Sequence, residues 1–120
     1  MKLRDVLATV NGIAISNRID LDQDVRLGIG ADLMSDVLRF GGEEMLLVTG
    51  LTNPQVIRTA EMVGIPALLF VRAKLPPPET VALAQEAGIA LLATQFTMYE
   101  SSGLFYKNGL KGIGPCGEYE

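Results

Sequence analysis

Two carboxylates and a set of hydroxyl and amide groups are the side chains of this chain best suited to bind a ligand. Asp32 and Asp36 are spaced one helical turn apart, so on a helix they would share a face and could hold Mg²⁺ together with water. Hydroxyls, amides and helix N–H groups together suit a small polar or phosphorylated ligand. The predicted ligand-binding residues are Asp32, Ser35, Thr49, Thr52, Asn53 and Thr94.

The residue types that are missing exclude several kinds of catalysis. The chain has no histidine and a single cysteine, Cys116. A Ser-His or Cys-His nucleophile pair, a structural zinc site and an internal disulfide are therefore excluded. The glycines at 28 and 30 lack the further glycine of a dinucleotide-binding loop, and no P-loop is present. We accordingly assign no catalytic residue, no cofactor and no metal ligand.

Composition restricts the partners. The 120 residues suit one domain, and a hydrophobic share of 48% is ample for a core. A net charge of −4 argues against nucleic acid and against an anionic membrane surface, both of which attract basic proteins. No apolar run approaches the ~20 residues of a membrane helix, and the N-terminus lacks the apolar region of a signal peptide. A cytoplasmic location is expected.

The candidate residues must be positioned by alternating strands and helices. Apolar runs at 25–31, 44–50, 65–71 and 89–94 predict four strands, and a short strand is predicted at 12–16. Helical periodicity predicts helices at 2–10, 33–40, 53–64, 79–88 and 97–107. Short strands without polar alternation, separated by helices, indicate a mostly parallel sheet buried on both faces. We expect a three-layer α/β/α domain over residues 1–108 with about four parallel strands, followed by a flexible Gly-rich tail at 109–120.

The sheet type predicts where a ligand would bind, namely beyond the carboxyl ends of the parallel strands. All six predicted binding residues follow such strands. Each of them also suits a role that needs no ligand. Asp32, and Thr52 with Asn53 before Pro54, are typical of helix N-caps. Thr94 is equally typical of a strand edge or a cap.

Three segments of this pattern resemble the DRTGG domain family, whose members are similar to the N-terminal domain of HPr kinase/phosphorylase. The segments are GIGADLMSDVL (28–38), LLVTGLTNPQVIRTAEMVGIPALLF (46–70) and IALLATQFTMYESSGLFY (89–106). The motif that names the family falls on residues 22–28, where Asp22 and Gly28 match but Gln23, Arg26 and Leu27 depart from it. Asp32, Ser35 and Asp36 are the residues that the resemblance carries over.

The resemblance implies a small free-standing regulatory or ligand-sensing accessory domain without catalytic activity of its own. Its expected partner is a small molecule, such as a nucleotide or another phosphorylated metabolite, or a protein. We also expect a homo-oligomer, with Leu104, Phe105 and Tyr106 as one candidate contact surface. Two alternatives remain open: a Mg²⁺-dependent phosphoryl-handling enzyme that uses Asp32 and Asp36, and a pure protein-interaction module.

Overall fold

The computed structural model describes residues 1–119, which contain five helices and five strands. The elements are α1 (Leu3–Thr9), β1 (Ile13–Ala14), β2 (Leu27–Gly30), α2 (Met34–Phe40), β3 (Met45–Thr49), α3 (Pro54–Val63), β4 (Ala67–Phe70), α4 (Pro78–Ala87), β5 (Ala90–Ala93) and α5 (Met98–Lys107).

The strands form a single sheet in the order β1-β5-β4-β3-β2. The four strands β2 to β5 pair in parallel, as the apolar runs predicted. The short strand β1 pairs antiparallel with β5, with Ile13 opposite Ala93. It therefore adds a fifth strand at the edge. The predicted α/β class with a mostly parallel sheet is confirmed.

Helices cover both faces of the sheet, which gives three layers. Side chains of β3 alternate between two cores, because successive residues of a strand point to opposite faces. Leu46 and Val48 pack with the core that α1 and α5 complete, whereas Met45 and Leu47 pack with the core beneath α2, α3 and α4. Every residue of β3, β4 and β5 is buried, and this double burial explains why these strands carry no polar alternation.

Several helix ends follow the local chemistry of the sequence. The side chain of Asn53 accepts a hydrogen bond from the Val56 amide at the start of α3, and Thr97 does the same for the Glu100 amide in α5. Gly64 ends α3 in the left-handed conformation that glycine adopts without steric cost, with φ of 81°. The predicted caps at Asn53 and Gly64 are confirmed.

The C-terminal segment contacts the sheet just after α5. Leu110 is buried in the core formed by α1 and α5, and the Gly28 amide donates to the Lys111 carbonyl at 2.8 Å. Of the candidate contact surface at 104–106, Phe105 is buried, Leu104 is half-buried and Tyr106 is exposed. The helix turns Phe105 into the core, so this residue is not part of such a surface, and a contact through Leu104 and Tyr106 stays a prediction. Within residues 1–119, no helix has the length and hydropathy needed to cross a bilayer.

Candidate functional site

The parallel strands bring their carboxyl ends to one edge of the sheet, which we call the strand-end rim. It consists of the segments that follow β2, β3, β4 and β5. The start of β1 lies at the same edge, because β1 runs antiparallel to β5. Five of the predicted binding residues come from the segments after β2, β3 and β5 or from the first turn of α2, and the sixth, Thr49, is the last residue of β3.

Asp32 connects the ends of two neighbouring strands. Its Oδ1 atom accepts from the Thr49 hydroxyl at 2.9 Å and from the Gly50 amide at 2.8 Å. The helix α2 starts only at Met34, and its N-cap is Leu33, without a side-chain cap. The prediction that Asp32 caps this helix is therefore wrong, since the hydroxyl and amide of the adjacent strand end take the carboxylate instead.

The prediction that Asp32 and Asp36 share a helical face is also wrong. Asp32 precedes α2 by two residues, so the two carboxylates do not share a helical face. Among residues 1–119 there is no group of three or more His, Cys, Asp or Glu side chains arranged to hold a metal ion. Nothing in this geometry favours a magnesium site built on these two residues.

Thr49 and Thr94 have buried hydroxyls that are already used within the protein. Thr49 is fully buried, and besides donating to Asp32 it accepts from the Leu51 amide at 3.2 Å. The Thr94 hydroxyl donates to the Val10 carbonyl at 2.7 Å and accepts from the Phe96 amide at 3.2 Å. Both groups hold rim loops in place, so a direct role in binding stays a prediction.

The other three predicted residues lie on the outer part of the rim. Ser35 is exposed in the first turn of α2, and Asn53 uses its side-chain oxygen to cap α3. The carbonyl of Thr52 accepts from the buried Thr80 hydroxyl at 2.8 Å, which ties the start of α3 to α4. Pro54 has no N–H and the Val56 amide is used by Asn53, so the start of α3 offers few donors to a ligand.

Arg72, which follows β4, supplies the positive charge at the centre of the rim. Its guanidinium lies directly over Gly50, because a Cβ added at Gly50 would meet Nη2, Nη1 and Cζ of Arg72 at 2.5, 2.7 and 2.8 Å. The ion pairs within residues 1–119 do not include Arg72. An arginine fork held across the ends of parallel strands is suited to a phosphate or carboxylate.

Backbone strain is concentrated at the same place. In the described chain, the non-glycine residues with positive φ are Asn11 (48°), Arg72 (62°) and Ala73 (59°). Backbone hydrogen bonds stabilise the two consecutive left-handed residues. The Arg72 amide donates to the Phe96 carbonyl at 2.8 Å, and the Ala73 amide donates to the Thr94 carbonyl at 2.9 Å. The left-handed conformation is sterically unfavourable for residues such as arginine and alanine. Strained backbone of this kind clusters at functional sites.

Replacing Ala73 with glycine is expected to raise the free energy of unfolding by about 0.5–1 kcal/mol. Relief of the left-handed alanine gains roughly 1–2 kcal/mol, and the larger entropy of glycine in the unfolded chain offsets part of it. Urea unfolding followed by circular dichroism measures the change. The matched control is Ala82→Gly on the exposed side of α4, which should lower stability by about 1 kcal/mol. Equal destabilisation by both substitutions would contradict strain at Ala73.

A cavity of about 410 Å³ opens beside this strained segment. Its residues come from three segments, the start of β1, the loop after β4 and the end of β5: Asn11, Gly12, Ile13, Ala73, Leu75, Ala93, Thr94 and Gln95. We call it the β1–β5 cavity. Its volume is in the range typical of small-molecule sites, ~300–1,000 Å³.

A second cavity, of about 520 Å³, lies at the opposite edge of the sheet, between the loop 16–23 and the end of α4. It is the larger of the two. We nevertheless place the candidate site at the strand-end rim, because ligands of open parallel sheets bind at the carboxyl ends and because Arg72 and the strained residues are there.

The segment 22–28, on which the DRTGG naming motif would fall, is joined to α1 by an ion pair. Asp22 Oδ1 accepts from Arg4 Nη2 at 2.7 Å and from Nε at 3.0 Å. Hydrogen bonding to the Arg4 guanidinium, with its positive charge, lowers the pKa of Asp22. This ion pair fastens α1 to the 20–24 loop, far from the strand-end rim.

Three polar residues of the rim are missing from the predicted ligand-binding set. Arg72 and Gln95 follow predicted strands, but a cation before three prolines is equally typical of a solvated turn. Asn11 precedes the short first strand, and no local pattern places it at the rim. The available indication was the short strand at 12–16, which brings Asn11 to the rim only if it pairs antiparallel with the last strand.

Comparisons with known proteins show that this chain has a fold similar to that of a solved structure. No protein-family model and no curated protein matches this sequence. The fold is similar to a crystal structure of the CBS and DRTGG domains from the regulatory region of a Clostridium perfringens pyrophosphatase, in complex with its activator diadenosine tetraphosphate. The TM-score is 0.67 at 14% identity, and the match covers 94% of this chain and 51% of that chain.

This likeness establishes a related fold. The chain spans about half the length of that structure, which contains two kinds of domain. The predicted resemblance to DRTGG domains is thus supported at the level of a related fold only. Membership of the DRTGG family itself stays a prediction.

Proposed function

We propose that this chain is a non-catalytic regulatory domain that binds a phosphorylated small molecule at the strand-end rim. The observation that carries the proposal is the guanidinium of Arg72, which lies over Gly50 with no ion-pair partner in residues 1–119. A fold shared with a regulatory region that was crystallised with a nucleotide activator supports the same reading. We also propose a cytoplasmic location.

The chemistry of the rim fits an anion at this point. Buried hydroxyls and the Asp32 carboxylate are paired internally, so they hold the loops rigid and leave the guanidinium as the group that meets a ligand. Rigid loops reduce the entropy lost on binding. Hydrogen bonds between a guanidinium and a phosphate are charge-assisted and can be bidentate, which gives both affinity and orientation.

Removing the Arg72 guanidinium is the test, and Arg72→Ala is expected to weaken binding of a phosphorylated ligand roughly tenfold or more. Thermal unfolding against a panel of nucleotides and sugar phosphates identifies the ligand, and isothermal titration calorimetry measures its affinity. Saturation at a hundred times the dissociation constant should add ~2.7 kcal/mol of stability. Gly50→Ala should weaken binding too, since its Cβ displaces the guanidinium while the charge is kept.

The matched control is Arg18→Ala, which removes one positive charge from the opposite edge of the sheet, where Arg18 lines the other cavity. It should leave the affinity unchanged. Equal weakening by Arg18→Ala and Arg72→Ala would indicate binding through overall charge. The absence of any stabilising ligand across the panel would contradict the proposed function.

A second candidate function is self-association through the same edge. It is favoured by three exposed apolar side chains at the rim, Leu33 (60% exposed), Phe96 (39%) and Tyr99 (78%). A second copy that covers this edge would remove their apolar surface from water. The thermal-unfolding experiment separates the two candidates when it is run at several protein concentrations. Stability that rises with protein concentration, and not with ligand, favours the homo-oligomer.

A further inference from the structure

We propose that the β1–β5 cavity is a nucleobase site, and that the ligand held by Arg72 is a nucleotide. This inference rests on the proposed function, because it assigns the second half of the same ligand. It is carried by the position of the cavity, by its lining and by the two carboxamides that face it.

The position of the cavity suits the base of a nucleotide whose phosphates reach Arg72. The cavity lies over the ends of β5 and β1, and Gly50 beneath the guanidinium follows β3. β5 and β3 are separated by β4 alone, so two strand spacings of ~4.8 Å place the two points roughly 10 Å apart. A ribose with its phosphate chain spans such a distance, with the strained Arg72–Ala73 turn between the two sites.

The lining offers apolar surfaces for a flat ring. Ile13 and Leu75 flank the cavity and are 58% and 64% exposed, so both present apolar surface to it. Gly12 keeps the wall close, because a Cβ there would lie 2.8 Å from the Ala93 carbonyl oxygen. Burial of these apolar surfaces against a base would favour binding.

The carboxamides of Asn11 and Gln95 are the polar groups available to such a base. Both line the cavity, and neither side chain forms a hydrogen bond within residues 1–119. The hydroxyl of Thr94, the remaining polar side chain of the lining, is engaged with Val10 and Phe96. A carboxamide presents one donor beside one acceptor.

That pattern matches the hydrogen-bonding edges of nucleobases. Adenine offers the N6 donor beside the N7 acceptor, and guanine offers the N1 donor beside the O6 acceptor, so a carboxamide can pair with either base through two hydrogen bonds. No lysine or arginine lines the cavity. The positive charge of Arg72 is directed towards β3, where it is available to the phosphates.

Isothermal titration calorimetry with ATP, GTP and inorganic tripolyphosphate tests the inference on the intact chain. We expect ATP and GTP each to bind roughly tenfold more tightly than tripolyphosphate, because a base in the cavity adds apolar burial and hydrogen bonds. Gln95→Leu and Asn11→Gly should each reduce this difference several-fold while leaving tripolyphosphate affinity unchanged. Both variants remove a carboxamide without adding strain, since glycine accepts the positive φ at position 11. Gln85→Leu, at the opposite edge of the sheet, is the matched control.

The outcomes distinguish this inference from the function on which it rests. If tripolyphosphate binds as tightly as ATP and GTP, and Arg72→Ala abolishes binding of all three, the nucleobase site is wrong and the phosphate site stands. A preference for the two nucleotides over tripolyphosphate that survives both carboxamide substitutions also overturns the nucleobase site. If none of the three probes binds, both proposals fail together.

Discussion

Replacing Asp32 with alanine is expected to lower the free energy of unfolding by about 2–3 kcal/mol, although the residue lies at the surface. Its carboxylate accepts from the buried Thr49 hydroxyl and from the buried Gly50 amide, and alanine leaves both donors without a partner. Hydrogen bonds to a charged acceptor are each worth roughly 1.5–3 kcal/mol, and partial exposure of Asp32 reduces their sum. Urea unfolding measures the change, which corresponds to a fall in Tm on the order of 10 °C.

The second half of this experiment identifies the partner. Asp32→Ala and Thr49→Val are expected to be non-additive, with a coupling of about 1 kcal/mol, because they remove the same hydrogen bond. Asp36→Ala is the control, since Asp36 is exposed on α2 and should change stability by about 0.5 kcal/mol or less. Additive effects of the first pair would contradict the assigned contact. If Asp32→Ala abolishes ligand binding but leaves the stability unchanged, then Asp32 contacts the ligand, as the sequence predicts.

Replacing Thr94 with valine is expected to cost about 2 kcal/mol of stability and to weaken ligand binding at the β1–β5 cavity. Valine has nearly the same shape, so the loss comes from the hydroxyl alone. The Val10 carbonyl and the Phe96 amide both lose their partner in a place where Thr94 is 4% exposed. The hydroxyl also joins the end of α1 to the end of β5, across 84 residues of sequence, and this contact positions Asn11.

The matched control is Thr52→Val, the same substitution at a half-buried rim threonine whose hydroxyl forms no hydrogen bond within the described residues. It should leave the free energy of unfolding within about 0.5 kcal/mol of the original. Urea unfolding and calorimetry of both variants give the comparison. If Thr94→Val is as stable as Thr52→Val but fails to bind, then the Thr94 hydroxyl contacts the ligand rather than the Val10 carbonyl.

These experiments concern one general property of the rim. Asp32, Thr49 and Thr94 form side-chain hydrogen bonds to neighbouring segments of the rim. Within residues 1–119, the side chains of Asn11, Arg72 and Gln95 form no hydrogen bond or ion pair and remain available to a ligand. Preorganised loops and free outward groups are complementary parts of a binding site, because the first set fixes the geometry in which the second set meets the ligand.

The class of fold and most of its elements are predictable from the amino-acid sequence alone. Apolar runs such as 44–50 predicted strands buried on both faces, and Asn53-Pro54 and Gly64 predicted where α3 begins and ends. These features succeed because they are local: periodicity, caps and glycine conformation depend on a few neighbouring residues. The parallel sheet then followed from the alternation of strands and helices, and with it the edge at which a site would lie.

Which polar groups at that edge are free depends on contacts between distant parts of the chain. Asp32 is equally suited to cap its own helix or to receive the Thr49 hydroxyl 17 residues away, and the choice depends on the distance between two strand ends. Asn11 reaches the rim because β1 runs antiparallel to β5, a pairing between residues about 80 positions apart that no local pattern encodes. The left-handed turn at Arg72 and Ala73 likewise depends on the carbonyls of Phe96 and Thr94, which a distant strand presents to it.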